Sequence, residues 1–171
     1  MTVGDRLRVF VWGIGNPGRS DDGLGIELVR RVECEKPDVV RCEANYQLNI
    51  EDAYDIAGAD VVVFVDASMK SNPPFEFTRI LPSRNISFTT HSLDAESVLA
   101  LCEEINGRSP VAFMLAIRGY EWDLREGLSI EASRGLERAL SFIVRVIGES
   151  SVEAMERLQT TGNAGKRDVQ H

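Results

Sequence analysis

Apolar residues along the chain fall into short uninterrupted runs and longer stretches at helical spacing, and the two alternate. Arg8 to Ile14 (RVFVWGI) is β-branched and aromatic and is closed by Gly13 and Gly15, which predicts a buried first strand. Beyond Asp21-Asp22-Gly23, the apolar residues Leu24, Leu28, Val29 and Val32 recur every three to four positions, the mark of a helix with one buried face. The cycle then repeats. Asp38 to Glu43 reads as a second strand, Asn49 to Ala57 as a helix, and Asp60 to Val65 (DVVVFV) as a strand so uniformly apolar that it needs cover on both faces. Phe75 to Leu81 alternates more, lies between prolines, and reads as an edge strand or hairpin partner.

Asp94 opens the next helix, with Val98, Leu99, Leu101, Cys102 and Ile105 expected to face inward and Asn106-Gly107 as its stop. Val111 to Arg118 is the last strand. Ser129 to Ile147 closes the pattern as a helix whose buried face is Ala132, Leu136, Leu140, Ile143, Val144 and Ile147. Strands alternating with helices in this way predict a single three-layer α/β/α domain over residues 1–150, built on a twisted, mainly parallel sheet of about five strands with right-handed crossovers. The polar segment 151–171, ending TTGNAGKRDVQH, reads as a frayed tail. No internal repeat is visible.

Composition narrows the function classes. A net charge of −8, with 19 Lys and Arg residues spread along the chain, repels polyphosphate backbones and argues against nucleic-acid binding. The N-terminus lacks the long apolar core of a signal peptide, and no run of about 18 apolar residues occurs, so a cytoplasmic protein without membrane insertion is expected. Cys34, Cys42 and Cys102 are odd in number and form no C-x-x-C pair, which fits small buried hydrophobes better than disulfides or a zinc knuckle.

In doubly wound sheets the loops at the carboxyl ends of the strands collect ligands. Three polar candidates fall there: the pair Asp21-Asp22 after the first strand, Asp66 at the end of the third, and His91 before the third major helix. Taken singly, each has an ordinary structural explanation: Asp22 as a helix cap, Asp66 as a turn former, His91 as a hydrogen-bonded structural histidine. Taken together, two carboxylates and an imidazole suit a divalent transition metal. Two ionised carboxylates about 4 Å apart repel by roughly 4 kcal/mol at an effective dielectric near 20, and a cation removes that repulsion. His171, at the chain end, leaves His91 as the one histidine placed to be a ligand. Asp21 is assigned to the loop and the helix dipole, so that its loss is expected to be milder than that of Asp22. The run GIGNPG formally matches a dinucleotide-binding glycine pattern, with Glu43 where a ribose-binding acid would be sought. The two aspartates before the helix would repel a pyrophosphate there and argue against a nucleotide cofactor.

The segment GIGNPGRSDDGLG resembles the opening signature of the hydrogenase maturation proteases, which process the large subunit of nickel–iron hydrogenases. As in that family, a strand ending in aspartate follows, VVVFVDAS with Asp66, and then a histidine before a helix, TTHSLDAES with His91. The resemblance spans about residues 8–147. It implies the family's phosphorylase/hydrolase-like sheet and carries the family's metal ligands and catalytic role onto Asp22, Asp66 and His91. It further implies a monomeric endopeptidase that recognises nickel already installed in the large-subunit precursor and then removes a C-terminal extension. On that reading nickel is supplied mainly by the substrate, and other divalent metals can take the site in vitro. Metal capture is expected to weaken below about pH 6.5, where an unperturbed imidazole protonates.

Two departures from the family pattern stand out. Many relatives carry Glu at the position of Asp22, and several carry a glycine-rich segment where this chain has Ala44-Asn45-Tyr46-Gln47-Leu48. Two other functions share features with this sequence. A non-catalytic nickel- or precursor-binding assembly factor could use the same three ligands. Peptidyl-tRNA hydrolases share a G-x-G-N-P-G run, but they need a histidine soon after it and a basic face, whereas SDDGLG follows here.

Overall fold

The computed structural model describes residues 6–36, 38–85 and 93–160. Five strands form one sheet: β1 (Val9–Ile14), β2 (Arg41–Asn45), β3 (Val61–Ser68), β4 (Phe75–Ile80) and β5 (Val111–Arg118). Their spatial order is β2-β1-β3-β5-β4, parallel throughout except for β4, which runs antiparallel to β5 at one edge. This is the single α/β domain that the alternating pattern predicted. β4 occupies an edge because its alternating residues and preceding prolines suit a strand paired on one side only.

The helices are α1 (Leu24–Glu35), the single turn α2 (Asp52–Asp55), α3 (Ala95–Asn106), α4 (Ile130–Ile147) and the short α5 (Val152–Glu156). α1 and α4 cover one face of the sheet, packing Leu28, Val32, Leu136 and Ile143 on Val63, Val65, Leu115 and Ile117. α2 and α3 cover the other, placing Ile56, Val98 and Leu99 against Phe10, Trp12, Val62 and Phe64. β3 is therefore buried on both faces, as its unbroken apolar run requires. α3 ends at Gly107 in the left-handed conformation, with φ of 76°.

Several expectations change in detail. The helix expected over Asn49 to Ala57 is one α turn followed by a 3-10 turn at Ile56–Gly58. α3 buries Ala95, Val98, Leu99 and Cys102, but Leu101 is only partly covered and Ile105 is exposed, since both lie beside the stripe that packs on the sheet. Of the cysteines only Cys102 is fully buried; Cys34 is exposed on the last turn of α1, and Cys42 is partly covered on the edge strand β2.

The segment after Gly148 is not frayed over residues 151–160. Ser151 caps α5, Met155 is fully buried, and Arg79 pairs with Glu156. The Thr160 amide donates to the Phe77 carbonyl at 2.9 Å, and the Phe77 amide donates to Thr160 Oγ1 at 2.8 Å. The apolar Met155 and the need to satisfy the open edge of β4 outweigh the polar composition of this stretch. Residues 161–171 lie outside the described residues.

Candidate active site

Close backbone approach builds the site end of the sheet. A β-carbon on Gly25 would lie 2.4 Å from the Val65 carbonyl oxygen and 2.5 Å from that of Ile14, and one on Gly13 would lie 2.4 Å from the Gly25 oxygen. Only glycines let α1 start this near the carboxyl ends of β1 and β3. The chain enters α1 through a 3-10 turn, Ser20–Gly23, that carries both aspartates. Gly15, with φ of 143°, lets the chain fold back so that the Asn16 amide donates to both the Asp22 carbonyl and its carboxylate, each at 3.1 Å. Asp22 therefore does not cap α1, which has no side-chain cap. Its carboxyl is turned toward the loop at the end of β1.

Asp21 and Asp22 point to different environments. Asp21 is 0% exposed and its carboxylate accepts four hydrogen bonds: from the amides of Tyr120 (2.7 Å), Glu121 (2.9 Å) and Ser129 (2.7 Å) and from the Ser129 hydroxyl (2.8 Å). The same Ser129 hydroxyl caps α4 by accepting from the Ala132 amide at 3.1 Å. Ser20, held at a positive φ of 49°, is strapped to the same loop through the Asp123 and Arg125 carbonyls. The role expected for Asp21, a loop acid interacting with the helix dipole, is thus corrected. It is the buried tie between the loop after β1 and the loop after β5, a role that sequence could not separate from that of its neighbour.

Asp66 sits at the end of the buried part of β3, opposite Ala116 of β5, with its side chain on the α2/α3 face. One of its oxygens accepts from its own neighbour, the Ala67 amide, at 2.8 Å. Burial pushes this carboxyl up to about pKa 7; the Ala67 amide pulls it back somewhat and the negative charge of Asp22 pushes it further up. The influence of Asp22 shows that the two acids, 44 positions apart in sequence, come within electrostatic reach of each other. Among the described residues no third His, Cys, Asp or Glu joins them in a metal-binding group. His91 lies outside the described residues.

Asp66 opens into a cleft of about 240 Å³. Its walls are Ile14 and Met114 from the sheet, Tyr46 and Gln47 from the loop after β2, and Asp94 and Glu96 at the start of α3. Leu93, two positions after His91, also lines the cleft and is fixed by a bridge to Leu48, its amide donating to the Leu48 carbonyl at 3.3 Å. Gln47 belongs to the segment that departs from the family pattern, whereas Glu96 and Met114 carried no signal in the sequence; strand order and the Leu48–Leu93 bridge bring all three to the cleft.

A half-buried carboxyl with a raised pKa beside a second acid can accept a proton, donate one near neutral pH, or ligate a divalent cation that offsets its burial. One carboxylate oxygen of Asp66 has no hydrogen-bond partner among the described residues, so it is open to a proton or a cation.

The fold and the site's position define a class, the three-layer α/β/α domains that carry acids on the carboxyl edge of a mainly parallel sheet. Within it, the fold is that of the hydrogenase maturation proteases. The chain superimposes on the hydrogenase maturating endopeptidase HybD from E. coli with a TM-score of 0.64 and 21% identity, over 82% of this chain and 92% of that one. It superimposes equally on the nickel–iron hydrogenase maturation protease HycI from Thermococcus kodakarensis KOD1, with a TM-score of 0.64 and 24% identity, over 85% and 95% of the two chains. An uncharacterized protein from Wolinella succinogenes is similar at 25% identity, with a TM-score of 0.56 over 83% and 97%. No protein-family model and no curated protein matches the sequence. Among the described residues no helix is long and apolar enough to cross a membrane.

Proposed function

We propose that this protein is an endopeptidase that removes the C-terminal extension of the nickel-loaded large-subunit precursor of a nickel–iron hydrogenase. The observation that carries the proposal is Asp66, a carboxyl pushed up to about pKa 7 at the end of β3 in a cleft and within electrostatic reach of Asp22, on the fold of the hydrogenase maturation proteases. In this reading Asp22, Asp66 and His91 together complete the coordination of the precursor's nickel, which when bound supplies a Lewis acid beside the scissile carbonyl. Leu93, two residues along the chain from His91, lines the same cleft and supports its inclusion.

Asp66 is suited to two tasks. Ionised, it binds the cation; with a pKa of about 7 it also exchanges protons at working pH, as a base for the attacking water requires. Asp22 is the second acid, and the Asn16 amide fixes its carboxylate within the loop after β1. Holding the precursor's metal and the peptide together makes metal loading a condition for cleavage. The proposal places the protein in the cytoplasm as a monomer, acting on a protein substrate.

The test is to incubate purified precursor, with and without nickel, with the protein and weigh the products by mass spectrometry. Loss of a C-terminal peptide from the nickel-loaded form alone supports the proposal. Stable complex formation with no mass change would replace the protease by an assembly factor.

A further inference from the structure

Near the acids, on the same carboxyl edge of the sheet but on the α4 side of it, lies a second groove of about 290 Å³. Pro73 and Pro74 at the entry to β4 form one side and Tyr120 an end; Arg134 and Arg138, one helical turn apart on α4, form the other side. α4 passes in contact with the proline wall at Gly135, where a β-carbon would stand 3.5 Å from the Pro74 carbonyl oxygen, an ordinary contact distance.

The groove has a local charge opposite to that of the molecule. The chain as a whole carries −8, yet the lining holds two guanidiniums against one carboxylate, Glu131. Both arginines are exposed and make no ion pair among the described residues, unlike Arg30, Arg31, Arg79 and Arg125, each of which is paired with an acid. A third cation stands behind the groove, the Arg118 guanidinium, 5.8 Å from the centroid of the Tyr120 ring. An aromatic ring, a proline wall and two free guanidiniums spaced by one helical turn suit an extended chain bearing carboxylates, which guanidinium forks hold bidentately.

The groove lies on the other face of the sheet from the Asp66 cleft and is tied to the loop of the two aspartates through Tyr120. The Tyr120 amide donates to Asp21 at 2.7 Å, and Asp21 is the neighbour of Asp22 in the 3-10 turn. We propose that this groove is an exosite that holds an acidic segment of the protein substrate while the cleft at Asp66 engages the bond to be cut. The role in cleavage rests on the protease reading; the binding of an acidic peptide does not.

The test uses the full chain and a fluorescein-labelled octaglutamate peptide followed by anisotropy. The expected result is saturable binding that weakens at least fivefold when salt rises from about 50 to about 300 mM, as screening requires. Reversing both groove charges, Arg134→Glu with Arg138→Glu, is expected to weaken binding at least tenfold. The same change of charge elsewhere, Arg145→Glu with Arg157→Glu, is expected to weaken it by less than threefold. Equal losses in the two double variants would overturn the proposal, as would displacement of the peptide by inorganic phosphate at equal concentration. Asp66→Asn is expected to bind the probe like the wild type. With the precursor as substrate, the groove variant should raise KM while leaving kcat within twofold. If the wild type binds the probe as expected but cuts no precursor, the groove stands and the protease reading fails.

Discussion

Replacing Asp21 should damage this protein more than replacing either acid proposed to bind metal. The Asp21 carboxylate is fully buried and is the acceptor for four donors from a loop about 100 residues away in sequence. Asp21→Ala would strand three amides and a hydroxyl and would loosen Ser129, whose hydroxyl caps α4. Hydrogen bonds to a charged acceptor contribute about 1.5–3 kcal/mol each, and they do not add fully because water enters the gap. A loss of about 4 kcal/mol is expected, a large share of the ~5–15 kcal/mol typical of a domain. At this chain length that lowers Tm by roughly 8–16 °C. Asp21→Asn separates the contributions: its amide oxygen can keep the Tyr120, Glu121 and Ser129 hydroxyl bonds but sets an NH2 group against the Ser129 amide, for an expected loss of about 2 kcal/mol. Asp22→Ala, which gives up only one side-chain bond from Asn16, should cost about 1 kcal/mol or less. Urea unfolding of the three variants tests the order. An Asp21→Ala protein within about 1 kcal/mol of the wild type would refute the reasoning.

Other consequences are equally specific. Gly25→Ala pushes a methyl group into the carbonyls of Val65 and Ile14, and should cost about 2–3 kcal/mol in a thermal melt while parting α1 from β3. Met155→Ala empties a fully buried site that closes the sheet edge and should cost about 2–4 kcal/mol; an unchanged Tm would show the end of the chain to be loosely held. Asp66 sets a pH dependence. Its folded pKa, near 7, lies above the unfolded value near 3.9, so the native state binds the extra proton; its contribution is full below about pH 4 and is lost as pH rises through 7. The metal-free wild type should therefore lose stability between pH 5 and pH 8 relative to Asp66→Asn, by roughly 2 kcal/mol after allowance for partial exposure, and parallel curves for the two would contradict this.

The architecture was legible because the apolar runs differ in kind. DVVVFV could only be a strand covered on both faces, and the 3.6-residue stripes of α1 and α4 could only pack on such a sheet. Glycine placement was legible as a pattern but not as a reason: the sequence shows Gly13, Gly15 and Gly25, and only the backbone shows which carbonyl each one accommodates. Asp66 was readable as the polar end of an apolar strand, and Asp22 as one of a pair. Which of Asp21 and Asp22 faces the core depends on a loop about 100 residues later, and local pattern holds no record of that partner. The tail was misjudged for a related reason. Its polar composition hides one buried methionine and two residues whose side chains bond the backbone of β4, contacts that exist only once the sheet leaves that edge open.

Nickel binding measured by calorimetric titration of the isolated protein, wild type against Asp22→Ala, Asp66→Ala and His91→Ala, tests the central claim most directly. The account predicts one ion per wild-type chain, at least tenfold weaker binding in each variant, and affinity that falls as the pH drops through 7, where Asp66 and an unperturbed imidazole take up protons. Equal affinity in the wild type and in all three variants would contradict it.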